Sequence, residues 1–132
     1  MSVNFTGVWN ADLGKSRFLG ASPKAILLKI EQSDSELEQE IAVTKLDGSE
    51  DRAVFRCWLN GDQDRNSLNG IPVRGGARWE REELVIESWI RFGVREMHFC
   101  DCWSLSSDQR TLIMEHRNDD LAGQVMVLDR VG

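Results

Sequence analysis

From Lys24 to Arg130 the chain repeats one pattern, short runs with apolar side chains at every second position, cut by turn signals. Alternation of period 2 describes a strand that buries one face and wets the other. Ile26, Leu28 and Ile30 share one such face, and Leu37, Ile41 and Val43 share the next, after Ser33-Asp34-Ser35. Asp47-Gly48 is a hairpin signal, because Gly accepts the positive φ of a primed turn. The run Arg52 to Leu59 is apolar on both faces, and Asn60 to Gly76 is the most loop-like part of the chain. Alternation resumes at Ala77 and Trp79, passes Arg81-Glu82, and continues through Leu84, Ile86, Ser88 and Ile90. The longest run, Val94 to Leu105, follows Gly93. Thr111 to Arg117 comes next, and a last strand carries Met126 and Leu128. Upstream, Phe5-Thr6-Gly7-Val8-Trp9 reads as a first strand, and Asp12 to Gly20 as a helical turn followed by a loop. Nine or ten strands joined by short turns predict an up-and-down antiparallel sheet. Closing that sheet hides both edges, so the expected fold is all-β, a closed barrel of about eight to ten strands.

At 132 residues the chain is expected to form a single domain spanning 1–132, and it shows neither an internal repeat nor a linker. A net charge of −6 argues against a nucleic-acid surface, which needs clustered Lys and Arg. The N-terminal residues lack a basic segment and an apolar run, and no stretch approaches the length of a membrane span. The expectation is a cytoplasmic protein without membrane association. Three cysteines, an odd number, fit a reducing compartment.

Gly7-Val8-Trp9 near the start and Leu128-Asp129-Arg130 near the end resemble the calycin superfamily of lipocalins, fatty-acid-binding proteins and avidins. Short matches between them, Lys15-Ser16-Arg17-Phe18, Leu28-Lys29-Ile30-Glu31-Gln32, Leu84-Val85-Ile86-Glu87 and Trp103-Ser104-Leu105-Ser106, look like a lipocalin-like bacterial family, most of whose members are uncharacterised. The resemblance implies that Gly7, Trp9 and Arg130 meet at a closed end of the barrel and seal it through a cation–π stack. The string from Thr6 to Gly14 is also similar to the first strand of an avidin. The later Trp pattern of avidins is missing, so biotin binding is not implied.

Parity assigns the inward positions. Beside the apolar ones it places Gln39, Ser88, Arg95, Asp101 and His116 inside. A barrel of this strand number either fills with side chains or holds one small ligand, and both outcomes fit the pattern. The inward polar groups point to the ligand, a small hydrophobic or amphipathic molecule. Arg95 is the candidate for an acidic head group, with Trp79, Met97, Phe99 and Met114 as apolar walls and Ser88, Asp101 and His116 as further contacts. An enzyme reading would use His116 and Asp101 as a proton-transfer dyad of isomerase or cyclase type. A third reading is a filled barrel acting as a structural or interaction module. No cofactor is expected. His98, Cys100 and Cys102 lie on one face, but side chains two apart on a strand are about 7 Å apart, so no metal site is expected. Asp62-x-Asp64-x-Asn66 begins like a calcium loop and fails at Ser67 and Val73. On the outward parity, Val85, Trp89, Val94, Cys100, Cys102, Ile113, Val125 and Val127 form an apolar flank, which predicts a homodimer.

Overall fold

The computed structural model describes residues 3–18, 20–59, 66–68, 71–118 and 123–131, with the backbone alone at 66–68, 72, 92 and 118. Asp62 and Asp64 lie outside the described residues. Among these residues the chain forms ten strands: β1 (Gly7–Ala11), β2 (Ala25–Gln32), β3 (Glu36–Thr44), β4 (Glu50–Trp58), β5 (Asn66–Leu68), β6 (Ile71–Glu80), β7 (Glu83–Phe92), β8 (Arg95–Leu105), β9 (Thr111–Asn118) and β10 (Gln124–Arg130). Each pairs antiparallel with its neighbours in sequence, and β1 pairs with both β2 and β10, closing the barrel. The fold is a lipocalin-like up-and-down barrel, and closure leaves no edge for another chain to extend.

Two local expectations are corrected. No helical turn follows β1. Residues 13–15 form one hydrogen-bonded turn, after which Arg17 bridges Val125 on β10 through two backbone bonds of 2.7 and 2.9 Å. The ladder with β10 thus resumes before a helix could add a second turn, and a lone turn fixes many dihedrals for few bonds. Strand β6 begins at Ile71, well before Ala77, so Pro72 and Gly75-Gly76 lie inside a strand. Gly75 has φ +149°, and a Cβ there would strike the Glu87 carbonyl on β7. The glycine lets two backbones approach where any side chain would hold them apart.

The alternation of the sequence becomes the two sides of the barrel wall. Leu28, Ile30, Leu37, Leu84, Ile86, Trp103, Leu112 and Leu128 are all within 2% of full burial and belong to one core with Phe5 and Trp9. The opposite parity carries ion pairs between neighbouring strands, Arg56 to Glu38 at 2.6 Å, Arg52 to Glu40 at 3.2 Å and Arg78 to Glu87 at 2.7 Å. Such exposed pairs contribute little each, but they make the outer face soluble. Strand β4, apolar on both faces in sequence, puts Cys57 inside, fully buried, where desolvation pushes its thiol pKa up to about 12.

One end of the barrel is plugged by the chain's own start. Phe5 stacks parallel to Trp79 at 6.0 Å and meets Trp103 edge-on at 5.6 Å. The Trp9 indole donates to the Phe5 carbonyl at 3.0 Å, and Gln32 ties the segment by accepting from Phe5 N–H and donating to the Val3 carbonyl, both at 2.9 Å. The Arg130 guanidinium lies 4.3 Å from the Trp9 ring centroid and donates to the carbonyls of Thr6 at 2.9 Å and Gln109 at 3.0 Å. Gly7, at φ +152°, leaves the room this requires, since a Cβ would sit 2.5 Å from Arg130 Nη1.

Candidate functional site

Above this plug the inward side chains do not fill the barrel. A cavity of ≈ 320 Å³ remains between the β3–β4 wall and the facing wall of β7, β8 and β9. Strands β3 and β4 supply Gln39, Ile41, Ala53 and Phe55; β7 supplies Ile86, Ser88 and Ile90; β8 supplies Phe99, Asp101 and Trp103; β9 supplies Met114 and His116. This volume is at the small end of the range for ligand pockets, and its mostly apolar walls with a few polar groups have their usual composition. A second space of ≈ 610 Å³ lies at the mouth, between Phe18, Ala21, Ser22 and Pro23 and the β3–β4 turn around Leu46. Ile41 walls both spaces, so it stands between the cavity and the mouth.

Register explains which polar groups meet. Ile86, Asp101 and His116 lie opposite one another in a row across β7, β8 and β9, and Ser88 and Phe99 form the row above. His116 Nδ1 and Asp101 Oδ1 are 2.6 Å apart, and the carboxylate raises the imidazole pKa against the opposing effect of burial. The His116 ring stacks on Phe99 at 5.4 Å. Fixing Nδ1 on a carboxylate leaves Nε2 as the atom able to act on a guest. Ser88, only 6% exposed, has no hydrogen-bond partner among the described residues, nor has the amide of Gln39. The Trp103 indole N–H, fully buried, is also unpartnered there.

Of the side chains expected to bind a ligand, Ser88, Phe99, Asp101, Met114 and His116 are brought together around the cavity. Three stand outside its lining. Arg95 is exposed at the first residue of β8, beside the mouth, because it pairs in register with Phe92 at the end of β7. Met97 is half-buried near the same end, and Trp79 is taken into the plug against Phe5. The opposite wall, Gln39, Ile41, Ala53 and Phe55, was not foreseen as lining. Gln39 was legible as an inward polar residue, whereas an apolar-apolar β4 carries no parity signal for Phe55.

The outward flank is less uniformly apolar than its parity suggested. Glu87, Glu115 and Arg117 share it in register with Cys100, Cys102 and Val125. Val94 sits fully exposed in the β7–β8 turn, away from the flank. Trp89 is covered from within its own chain, its ring 4.6 Å from the His98 ring and 4.7 Å from the Arg74 guanidinium. Val85 is buried, only 7% exposed, and Cys100, Cys102, Ile113, Val125 and Val127 are half-buried. Cys102 donates to Glu83 at 2.9 Å, and burial together with that carboxylate pushes its thiol pKa up to about 12. Among the described residues no group of three or more His, Cys, Asp or Glu is placed to hold a metal ion.

No family model and no curated protein matches this chain.

Proposed function

We propose that this protein is a calycin-like binder that carries a small, largely apolar molecule inside its barrel. The observation that supports this reading is the ≈ 320 Å³ cavity, where Ser88, Gln39 and the Trp103 indole N–H have no hydrogen-bond partner among the described residues. A barrel built only for stability would fill that space, because each unfilled volume forfeits packing energy and each unpaired buried polar group costs desolvation. Native mass spectrometry of freshly purified protein, with solvent extraction of what co-purifies, tests it. A discrete organic adduct is expected, and a clean apo species that also takes up no added small molecule would leave a filled, structural barrel as the better account.

The 2.6 Å contact between His116 and Asp101 favours a second reading, proton-transfer chemistry of isomerase or cyclase type on a bound guest. In that case His116→Ala and Asp101→Asn would each abolish turnover of the extracted compound while the fold survives. Pairing of two copies through the half-buried Cys100, Ile113, Val125 and Val127 would cover apolar area on the β8–β10 flank. A monomer at micromolar concentration in sedimentation equilibrium would remove that proposal.

A further inference from the structure

We infer that the guest of this cavity is a compact, uncharged ring compound carrying hydroxyl or carbonyl groups, rather than an anionic chain with one polar head. The inference rests on the binding reading above and concerns which chemistry the same cavity accepts.

Charge is the first consideration. No Lys or Arg lines the cavity among the described residues, and Arg95 stands outside it. The imidazole of His116 and the carboxylate of Asp101 are each other's partners at 2.6 Å. With His116 protonated the pair is neutral, and with His116 neutral the pair is negative. In neither state does the cavity offer positive charge to a carboxylate or phosphate. An anion entering it would shed its hydration for no compensating charge, which weakens its binding. A neutral guest avoids this.

Placement of the hydrogen-bonding groups is the second. Ser88 Oγ and His116 Nε2 are on the β7–β9 wall, and the Gln39 amide is on β3 across the cavity. A hydroxyl and a primary amide both donate and accept, and an imidazole bound through Nδ1 does either at Nε2 according to its protonation. One head group on a flexible chain would satisfy a single wall. A rigid body with polar substituents at separated positions satisfies both. Ring faces are available to it, since Phe55, Phe99 and Trp103 line the space and His116 already stacks on Phe99. At ≈ 320 Å³ the cavity is at the small end of ligand-pocket volumes, which suits a compact ring system better than a long chain.

Equilibrium dialysis at pH 7 with 2-naphthol, naphthalene and 2-naphthoate separates size from charge and hydrogen bonding. The expected order is naphthol tightest, naphthalene weaker by about 5- to 10-fold, as for one net hydrogen bond, and naphthoate weaker than naphthol by at least about 10-fold. Naphthalene-2,6-diol, with a hydroxyl for each wall, should bind tighter than 2-naphthol, and Ser88→Ala and Gln39→Leu should each reduce diol binding by about 5-fold and leave naphthalene unchanged, so naphthalene also reports that each variant is folded. Asp101→Asn at pH 5.5 removes the internal counter-charge of His116 and should raise naphthoate affinity relative to naphthol. Naphthoate binding as tightly as naphthol to the unaltered protein would overturn the inference while leaving the binding reading in place. Naphthol and naphthalene binding equally would also overturn it. Failure of every probe to bind would overturn both.

Discussion

The plugged end and the cavity above it are built from the same kinds of residue, yet they treat polar groups differently. At the plug the Trp9 indole, the Gln32 amide and the Arg130 guanidinium each meet a carbonyl or amide of the chain's first residues. In the cavity, Ser88, Gln39 and the Trp103 indole N–H have no hydrogen-bond partner among the described residues, and His116 has one nitrogen engaged. Satisfied polar groups lock a structure, whereas unsatisfied ones are retained at a cost that a partner can repay. The contrast therefore separates the part of the barrel that holds it shut from the part that meets a guest.

The sharpest way to break this contrast is to empty the plug. Trp9→Ala removes a fully buried indole from beneath Arg130 and should destabilise the fold by about 3–5 kcal/mol, read from urea denaturation. Gly75→Ala forces a Cβ against the Glu87 carbonyl and should cost about 1–3 kcal/mol, or shift β6 against β7 visibly in amide chemical shifts. Arg130→Ala loses the stack on Trp9 and two carbonyl contacts, an expected loss of about 1–2 kcal/mol by the same denaturation experiment. Cavity substitutions should behave in the opposite way. Ser88→Ala deletes a cavity-lining hydroxyl that has no hydrogen-bond partner among the described residues, so its stability should stay within about 0.5 kcal/mol of the parent or rise, even as binding falls. A drop comparable to that of Arg130→Ala would show that Ser88 has a structural role and blur the division.

The smallest effect is a pH dependence. Asp101 raises the His116 pKa above its ordinary value of 6.5, so the folded chain holds that proton more tightly than the unfolded one. The resulting stabilisation is fully present below the unfolded pKa and is lost as pH rises through the folded pKa. Stability of the apo protein measured from pH 6 to 8 should carry this slope, and Asp101→Asn should flatten it. An unchanged slope in that variant would mean the pair does not govern the titration.

Most of the barrel was readable because a period of 2 is a strong signal wherever one face is dry and the other wet. Leu28, Leu84 and Trp103 are buried, whereas on the other parity Lys29 is exposed and Cys102 half-buried, as alternation requires. Three things were not readable for physical reasons. Parity states which face a side chain takes but not its height, so Arg95 at the rim and Trp79 in the plug were indistinguishable from residues at the level of Ser88. Strand β4 has apolar residues on both faces, which hid Phe55 and Ala53. The Asp12 to Arg17 segment has a turn's composition, and its outcome was decided by the distant strand β10 through Arg17 and Val125.

A crystal structure of the protein purified without added ligand tests the central claim most directly. The account predicts ordered density between the β3–β4 and β7–β9 walls, a guest or a defined water cluster, with atoms at about 2.6–3.2 Å from Ser88 Oγ and His116 Nε2. Side chains collapsed into that space, with Ser88 and Gln39 bonded to the protein itself, would contradict it.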